Sequence, residues 1–207
     1  MKYYFLYKSP VGLLQLVSDG SALVGLTFID NENIASHTQN TEQREVYPFQ
    51  QTVEQLDQYF RGNLQDFDIP ILLHGTAFQV RVWNELRNIP FGTTISYKAQ
   101  AEKVGNVARA VGLANGRNPI SIIVPCHRVI GADGHLVGYG GGLDRKRALL
   151  QFEALVKDFG PQTMRGVQEL SEDRGDHGTG ADREGVQDLR PRSRPGSGGV
   201  AEAHPSR

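Results

Sequence analysis

From about residue 160 onward the apolar residues stop recurring at any fixed interval. The stretch "RGDHGTGADREGVQDLRPRSRPGSGGVAEAHPSR" is rich in Gly, Arg, Asp and Pro and has no aromatic side chain. Such a segment buries too little surface to offset the entropy of ordering it. We therefore expect residues 158–207 to form a disordered polar tail without chemistry of its own. Any core must come from the residues before it. With 39% apolar and 22% charged residues, the 207-residue chain has globular composition, enough for one ordinary domain or two small ones.

Two patterns divide that remainder. "YYFLY", "LLQLV" and "ALVGLTF" are β-rich runs separated by "SPVG" and "SDGS", which reads as a small antiparallel sheet over residues 1–30. Residues 31–48 read as polar loop. Val53, Leu56, Tyr59 and Phe60 have helical spacing that stops at Gly62-Asn63, and "FDIPILLHG" reads as a further strand. Near residue 76 the pattern becomes helical. Thr76 and Gln79 form a capping box ahead of Phe78, Val82, Trp83 and Leu86. "SYKAQAEKVGN" and "VARAVGLANG" are two short helices meeting at Gly105-Asn106, as in a helix-turn-helix or a plain helical hairpin. "GRNPISIIVPC" reads as a turn and then a buried strand. Asp133-Gly134 signals a hairpin, and "LDRKRALLQFEALV" is a last amphipathic helix with Leu149, Phe152 and Val156 inward. The expected fold class is α+β. A small antiparallel-sheet domain at 1–75 precedes a mainly helical domain at 76–157, with a helix-turn-helix and a short strand and hairpin region.

Charge follows the same division. Residues 1–75 hold four Lys/Arg against nine Asp/Glu, whereas residues 76–155 hold ten against five. A basic second part points toward an anion, nucleic acid among the candidates. "MKYYFLYKSP" is not read as a signal peptide, and no run approaches the ~20 apolar residues of a membrane span. The single cysteine excludes a disulfide framework and a multi-cysteine zinc site, and fits a reducing cytoplasm.

That cysteine, Cys126, lies in "IIVPCHRVIG" beside His127. Burial as a small hydrophobe is the plain explanation. The chemical one is a nucleophile, which must lose its proton and so needs a base. Neighbours on extended backbone point to opposite faces, so His127 serves Cys126 only through a turn or a bridging water. A third group should orient the imidazole, and Glu153 is the carboxylate we select, because an acid within "LLQFEALV" needs a partner. Ala108 with Gly112, and Ala110 with Ala114, make a slim helix face that suits helix packing or close approach of a bulky ligand. Arg109 between them suits a phosphate or a DNA groove. Gly140, Gly141 and Gly142 leave backbone open to a ligand, or form a flexible link.

Pro125-Cys126-His127-Arg128-Val129 resembles the signature of the O6-alkylguanine-DNA alkyltransferases, the methylated-DNA–protein-cysteine methyltransferases. Asn118-Pro119, Tyr139 before its glycines, Arg109 in "ARAVG", Tyr97 in "ISY" and Glu153 after "ALLQF" extend the resemblance over residues 76–155. Residues 1–75 match more loosely, and the tail has no counterpart. The resemblance implies DNA repair by irreversible transfer of an alkyl group from O6-alkylguanine to Cys126, after the base is flipped out. His127 would deprotonate Cys126 through a water, with Glu153 polarising His127 and Asn118 ordering the network. Tyr97 would donate to the guanine ring, and Arg109 would fill the gap in the stack. Cys126 and Val129 carbonyls, with backbone groups of Tyr139 and Gly140, would read the base. Ala108, Gly112, Arg128 and Lys146 complete the substrate- and DNA-binding set. The implied partner is double-stranded DNA carrying O6-alkylguanine, with O4-methylthymine open, and the implied protein is a cytoplasmic monomer without cofactor or metal. The alternatives are a non-catalytic alkyltransferase-like damage-binding protein and an alkylation-sensing transcription regulator. Between "VGN" and "ARAVG" the chain is about two residues shorter than the family pattern, which bears on the DNA contacts of Arg109.

Overall fold

The computed structural model describes residues 1–39, 41–161 and 164. The tail expectation therefore lies almost wholly outside the described residues. Three strands, β1 (Tyr3–Ser9), β2 (Gly12–Ser18) and β3 (Leu23–Phe28), form an antiparallel meander. Residues 31–48 are less uniform than the loop expected there. They hold a 3₁₀ turn (Asn31–Asn33), a one-turn helix α1 (Ile34–His37) and β4 (Glu42–Gln43), which adds in parallel beside β1. The sheet order is β3-β2-β1-β4. Helix α2 (Phe49–Phe60) packs on the sheet through Phe49, Leu56, Tyr59 and Phe60. The strand expected at "FDIPILLHG" is absent. Pro70 and Leu72 bond only to the ends of Leu23, leaving one isolated bridge at Ile71.

The helical half begins at α3 (Ala77–Leu86), whose capping box forms as expected. Thr76 Oγ1 accepts from the Gln79 amide at 3.2 Å, and Gln79 Oε1 accepts from the Thr76 amide at 2.9 Å. A two-residue strand β5 (Ile95–Ser96) leads into α4 (Tyr97–Val104), which Ser96 caps. Gly105 ends α4 at φ 65°, where only glycine is unstrained, and α5 (Ala108–Asn115) follows. These two helices and α3 pack together as the helix-turn-helix unit. Buried Gln100 and Asn115 exchange side-chain hydrogen bonds across α4 and α5, and Trp83 donates to the Ala114 carbonyl. Strand β6 (Val129–Ile130) pairs in parallel with β5, and α6 (Leu143–Phe159) closes the chain with Leu149, Phe152 and Val156 buried.

Two expectations fail here. Residues 120–125 are buried but form consecutive turns, not a strand. Ile122 sits at φ 69°, and Val124 and Cys126 donate back to Ile120 and Val124. β3 meets this stretch only at one bridge, Leu26 to Ile120, and the rest of its backbone bonds in local turns. Asp133-Gly134 does turn, with Gly134 at φ 84°, but no hairpin follows. Only Val129 and Ile130 are extended before it, and they pair with β5 instead. One core runs through both halves of the chain, and no described helix is long and apolar enough to cross a membrane.

Candidate active site

Asn118 shapes the segment that carries the thiol. Its Oδ1 accepts from the Ile120 amide, and its Nδ2 donates to the Val124 carbonyl at 2.7 Å and to Cys126 Sγ at 3.1 Å. One side chain thus closes the loop and holds the sulfur. Cys126 opens a single 3₁₀ turn, Cys126–Arg128, so the chain bends at the point where an extended segment would have separated the thiol from the imidazole. Cys126 is 6% exposed. Burial pushes its pKa up, and the Asn118 hydrogen bond and the Lys146 charge only partly oppose this. At neutral pH the sulfur is therefore a thiol and needs a base.

His127 is fully buried. Its Nε2 lies 2.8 Å from Glu153 Oε1, while Nδ1 is buried and meets no protein hydrogen-bond partner. Burial lowers the His127 pKa, which Glu153 opposes, so the ring is neutral. The carboxylate accepts only, so we assign the ring proton to Nε2, and Nδ1 then carries the lone pair. The imidazole has the basic nitrogen that proton removal from Cys126 requires.

Glu153 is the hub. Besides His127 it accepts from Tyr59 Oη at 2.8 Å, Arg128 Nε and Nη2 at 2.9 Å each, and the Gly92 amide at 3.0 Å. Burial alone would raise its pKa, but His127 and Arg128 outweigh that and hold it at about 2. Arg128 also donates to the Ile89 carbonyl at 2.7 Å and lies over Phe91. Sequence reading grouped Arg128 with the DNA-binding residues. The structure places it inside, with its guanidinium on Glu153, because a buried carboxylate of this kind needs a fixed cation.

Above this centre lies a groove of about 600 Å³, lined by Tyr97, Ala108, Arg109, Gly112, Gly116 and the loop Val137–Gly140. Burial raises the hydroxyl pKa values of Tyr97 and Tyr139, that of Tyr97 to about 12, and the Cys126 thiolate, once formed, raises them further. Lys146 is buried, with Nζ on the Val137 carbonyl at 2.9 Å, the Gly138 carbonyl at 3.3 Å and Tyr97 Oη at 3.4 Å. Burial pulls its pKa down to about 8, which the Cys126 thiolate, once formed, opposes. Its donors hold the groove wall. Val129 is buried directly after the turn, and Gly140 is exposed on the wall.

Helix α5 resolves the two uses of small residues. Ala114 is buried, and its carbonyl serves Trp83, which is packing. Ala108 is exposed, and a methyl at Gly112 would meet only Tyr97, at 3.8 Å. That is ordinary contact, so the fold does not require glycine there; the slim face is left to the groove. Arg109 is exposed at its rim. The helix starts at Val107, which is 66% exposed and offers no capping side chain. This is the junction expected from the sequence to be shorter than the family pattern.

Two site residues escaped sequence reading. Tyr59, far away on α2, read only as core at helical spacing. The Gly92 amide had no signal beyond a glycine after Pro90-Phe91. Among the described residues no group of three or more His, Cys, Asp or Glu could hold a metal.

Two family models match the chain. Residues 2–73 match the ribonuclease-like domain of 6-O-methylguanine DNA methyltransferase, and residues 77–155 match its DNA binding domain. The methylated-DNA–protein-cysteine methyltransferase of Mycobacterium tuberculosis is 50% identical over 155 residues, 74% of this chain and 93% of that protein. The protein of that name from Methanosarcina acetivorans is 44% identical over 153 residues, 73% and 97% of the two chains. Among solved structures, Mycobacterium tuberculosis OGT in complex with DNA superposes with a TM-score of 0.70 at 44% identity, covering 80% of this chain and 99% of that one.

Proposed function

The chain belongs to the 6-O-methylguanine DNA methyltransferase family, and from that premise we propose that it repairs DNA by moving the alkyl group of O6-alkylguanine onto Cys126. The observations that carry the reading are a Cys126 sulfur held by Asn118 and, next to it in the same turn, a neutral His127 anchored through Nε2 on Glu153. Its free Nδ1 takes the thiol proton, through a water in our reading. The sulfur attacks the alkyl carbon, the S–C bond forms, and the C–O6 bond breaks with its electron pair leaving on guanine. Tyr97 Oη, whose proton rests on the Val137 carbonyl at 3.1 Å in the free groove, turns to donate to the departing guanine ring, which finally recovers the thiol proton. Glu153 holds the imidazole in place and favours its charged form during the transfer, while Arg128 fixes the carboxylate.

A base inside a duplex cannot reach a buried thiol, so the nucleotide must be flipped out. The groove beside α5 receives it, with Tyr139 and Gly140 on its wall. Ala108 and Gly112 let α5 approach the minor groove, and Arg109 takes the place of the extruded base. All the relay groups come from one chain, which supports action as a monomer. A thiol that must stay reduced supports a cytoplasmic location.

The thioether has no reversal route in this reading, so each molecule reacts once. Excess duplex containing O6-methylguanine should add one methyl group per chain, located at Cys126 by mass spectrometry. Sustained turnover, or equal labelling of Cys126→Ala, would refute the proposal. Tight binding of the lesion without transfer would establish the non-catalytic alternative.

A further inference from the structure

The loop from Tyr139 to Gly142 forms one wall of the groove, yet its own backbone supplies little support. Gly142 donates to the Tyr139 carbonyl at 3.0 Å, closing one turn. Arg145, on the first turn of α6, supplies the rest. Its Nη1 donates to the Gly141 carbonyl at 3.0 Å. Its Nε donates to the Val11 carbonyl at 3.0 Å, in the β1–β2 turn, and Nη2 reaches Asp30 Oδ1 at 3.3 Å, just after β3. The guanidinium lies 5.0 Å over the Phe28 ring, and Phe28 meets Tyr139 edge-on with centroids 6.3 Å apart. A methyl at Gly141 would come within 2.5 Å of Phe28, so loop backbone rests directly on that ring.

We propose that Arg145 is a positioning residue that fastens the Tyr139–Gly141 wall to the N-terminal sheet, so that the sheet sets the shape of the pocket receiving the flipped base. The inference rests on the proposed function, in which this wall meets the base. A planar guanidinium can bind three acceptors in fixed directions, and a lysine cannot. Lys146, the next residue, pins the other end of the loop through Val137 and Gly138. Together they order the wall before the base arrives, which removes an ordering cost from binding. The sheet half, which brings only Tyr59 to the relay, thereby acts on recognition.

The test compares wild type with Arg145→Met, Arg145→Lys and Phe28→Leu. Amide hydrogen exchange reads loop order without any reaction. Benzylation of Cys126 by free O6-benzylguanine, followed over a concentration series, separates half-saturation from limiting rate. Iodoacetamide reads the thiol without needing the base wall. In Arg145→Met we expect faster exchange at residues 139–142 and native exchange at 126–130. Half-saturation should rise roughly tenfold, the worth of one charge-assisted hydrogen bond. The limiting rate and the iodoacetamide rate should stay near wild type. Phe28→Leu should move the same readouts less, and it carries the test if Arg145→Met fails to fold. Native exchange and half-saturation in the folded variants would overturn the proposal, as would full rescue by Arg145→Lys. A fall confined to limiting rate and iodoacetamide rate would overturn it too, by moving Arg145 to thiol activation. A wild-type protein that forms no thioether would refute the functional reading, while the exchange arm still decides whether Arg145 orders the loop.

Discussion

Replacing Glu153 by glutamine changes almost nothing in shape and removes the charge on which Arg128 and His127 converge. The carboxylate accepts from Tyr59, His127, Gly92 and both Arg128 nitrogens. An amide turns one of its two acceptors into a donor and leaves a buried guanidinium unpaired. Breaking such a pair from one side costs about 3–5 kcal/mol. The proton equilibrium gives an independent figure. Holding Glu153 at about 2 rather than 4.5 corresponds to about 3 kcal/mol at neutral pH. Because the folded-state value is the lower one, this stabilisation is complete above pH 4.5 and is lost as the pH falls through 2. More than half of it should be gone by about pH 3. Urea unfolding followed by the fluorescence of Trp83, the single tryptophan, measures both quantities. Wild type should exceed Glu153→Gln by roughly 3 kcal/mol at pH 7, and the gap should narrow to roughly 1 kcal/mol near pH 3. His127, buried neutral, adds acid sensitivity to both proteins, and more to Glu153→Gln because Glu153 raises the imidazole pKa, which opposes part of this narrowing. A gap below about 1 kcal/mol at pH 7, or one that stays constant between pH 5 and 3, would refute the ionised-hub account.

The same relay should make rate losses non-additive. His127→Ala and Glu153→Gln should each slow the reaction with free O6-benzylguanine, and the double variant should be little slower than the worse single. Burial raises the Cys126 pKa, so raising pH past the ordinary thiol value of about 8.5 should partly restore both singles, and full additivity without recovery would assign activation elsewhere. Arg109→Ala should weaken repair in duplex DNA far more than reaction with the free base, and equal losses would move Arg109 into the fold or pocket. Val107→Ser places a hydroxyl at an N-cap whose backbone (φ −96°, ψ 149°) already suits one. It should stabilise the protein by about 1 kcal/mol, read as a higher melting temperature, and no change would mean that the first-turn amides of α5 already have partners.

Local chemistry was legible in the sequence where one residue determines one backbone feature. Thr76 with Gln79 marked the start of α3, and Gly105 marked the end of α4. Apolar runs were less informative. "ISIIV" gave burial correctly and conformation wrongly, because burial alone does not separate a strand from packed turns, and Ile122 at φ 69° is an unfavourable choice for a β-branched residue. The pairing of His127 with Glu153 followed from asking what a buried acid needs. Tyr59 did not follow, since its hydroxyl meets Glu153 across 94 positions and no spacing rule reaches that far. Arg128 was misplaced for a related reason: the resemblance set it among the substrate- and DNA-binding residues, and only the geometry shows that the Glu153 carboxylate has taken its guanidinium.

The outer edge of β3 bears on how the polypeptide can be divided. That strand ends the sheet, yet the outward backbone groups of Leu23 and Leu26 are occupied. Leu23 bonds with Pro70 and Leu72, and Leu26 bonds with Pro119 and Ser121. The opposite margin, β4, is two exposed polar residues long. Neither side therefore offers a template for intermolecular strand addition, the usual route to aggregation. Cutting the polypeptide near residue 76 would remove the part of this protection that Pro119 and Ser121 supply. The amino-terminal fragment would bare the Leu26 backbone groups, and the carboxy-terminal fragment would lose the two bonds that seat the approach to Cys126. A polypeptide whose composition divides cleanly in two is, for synthesis and solubility, a single unit.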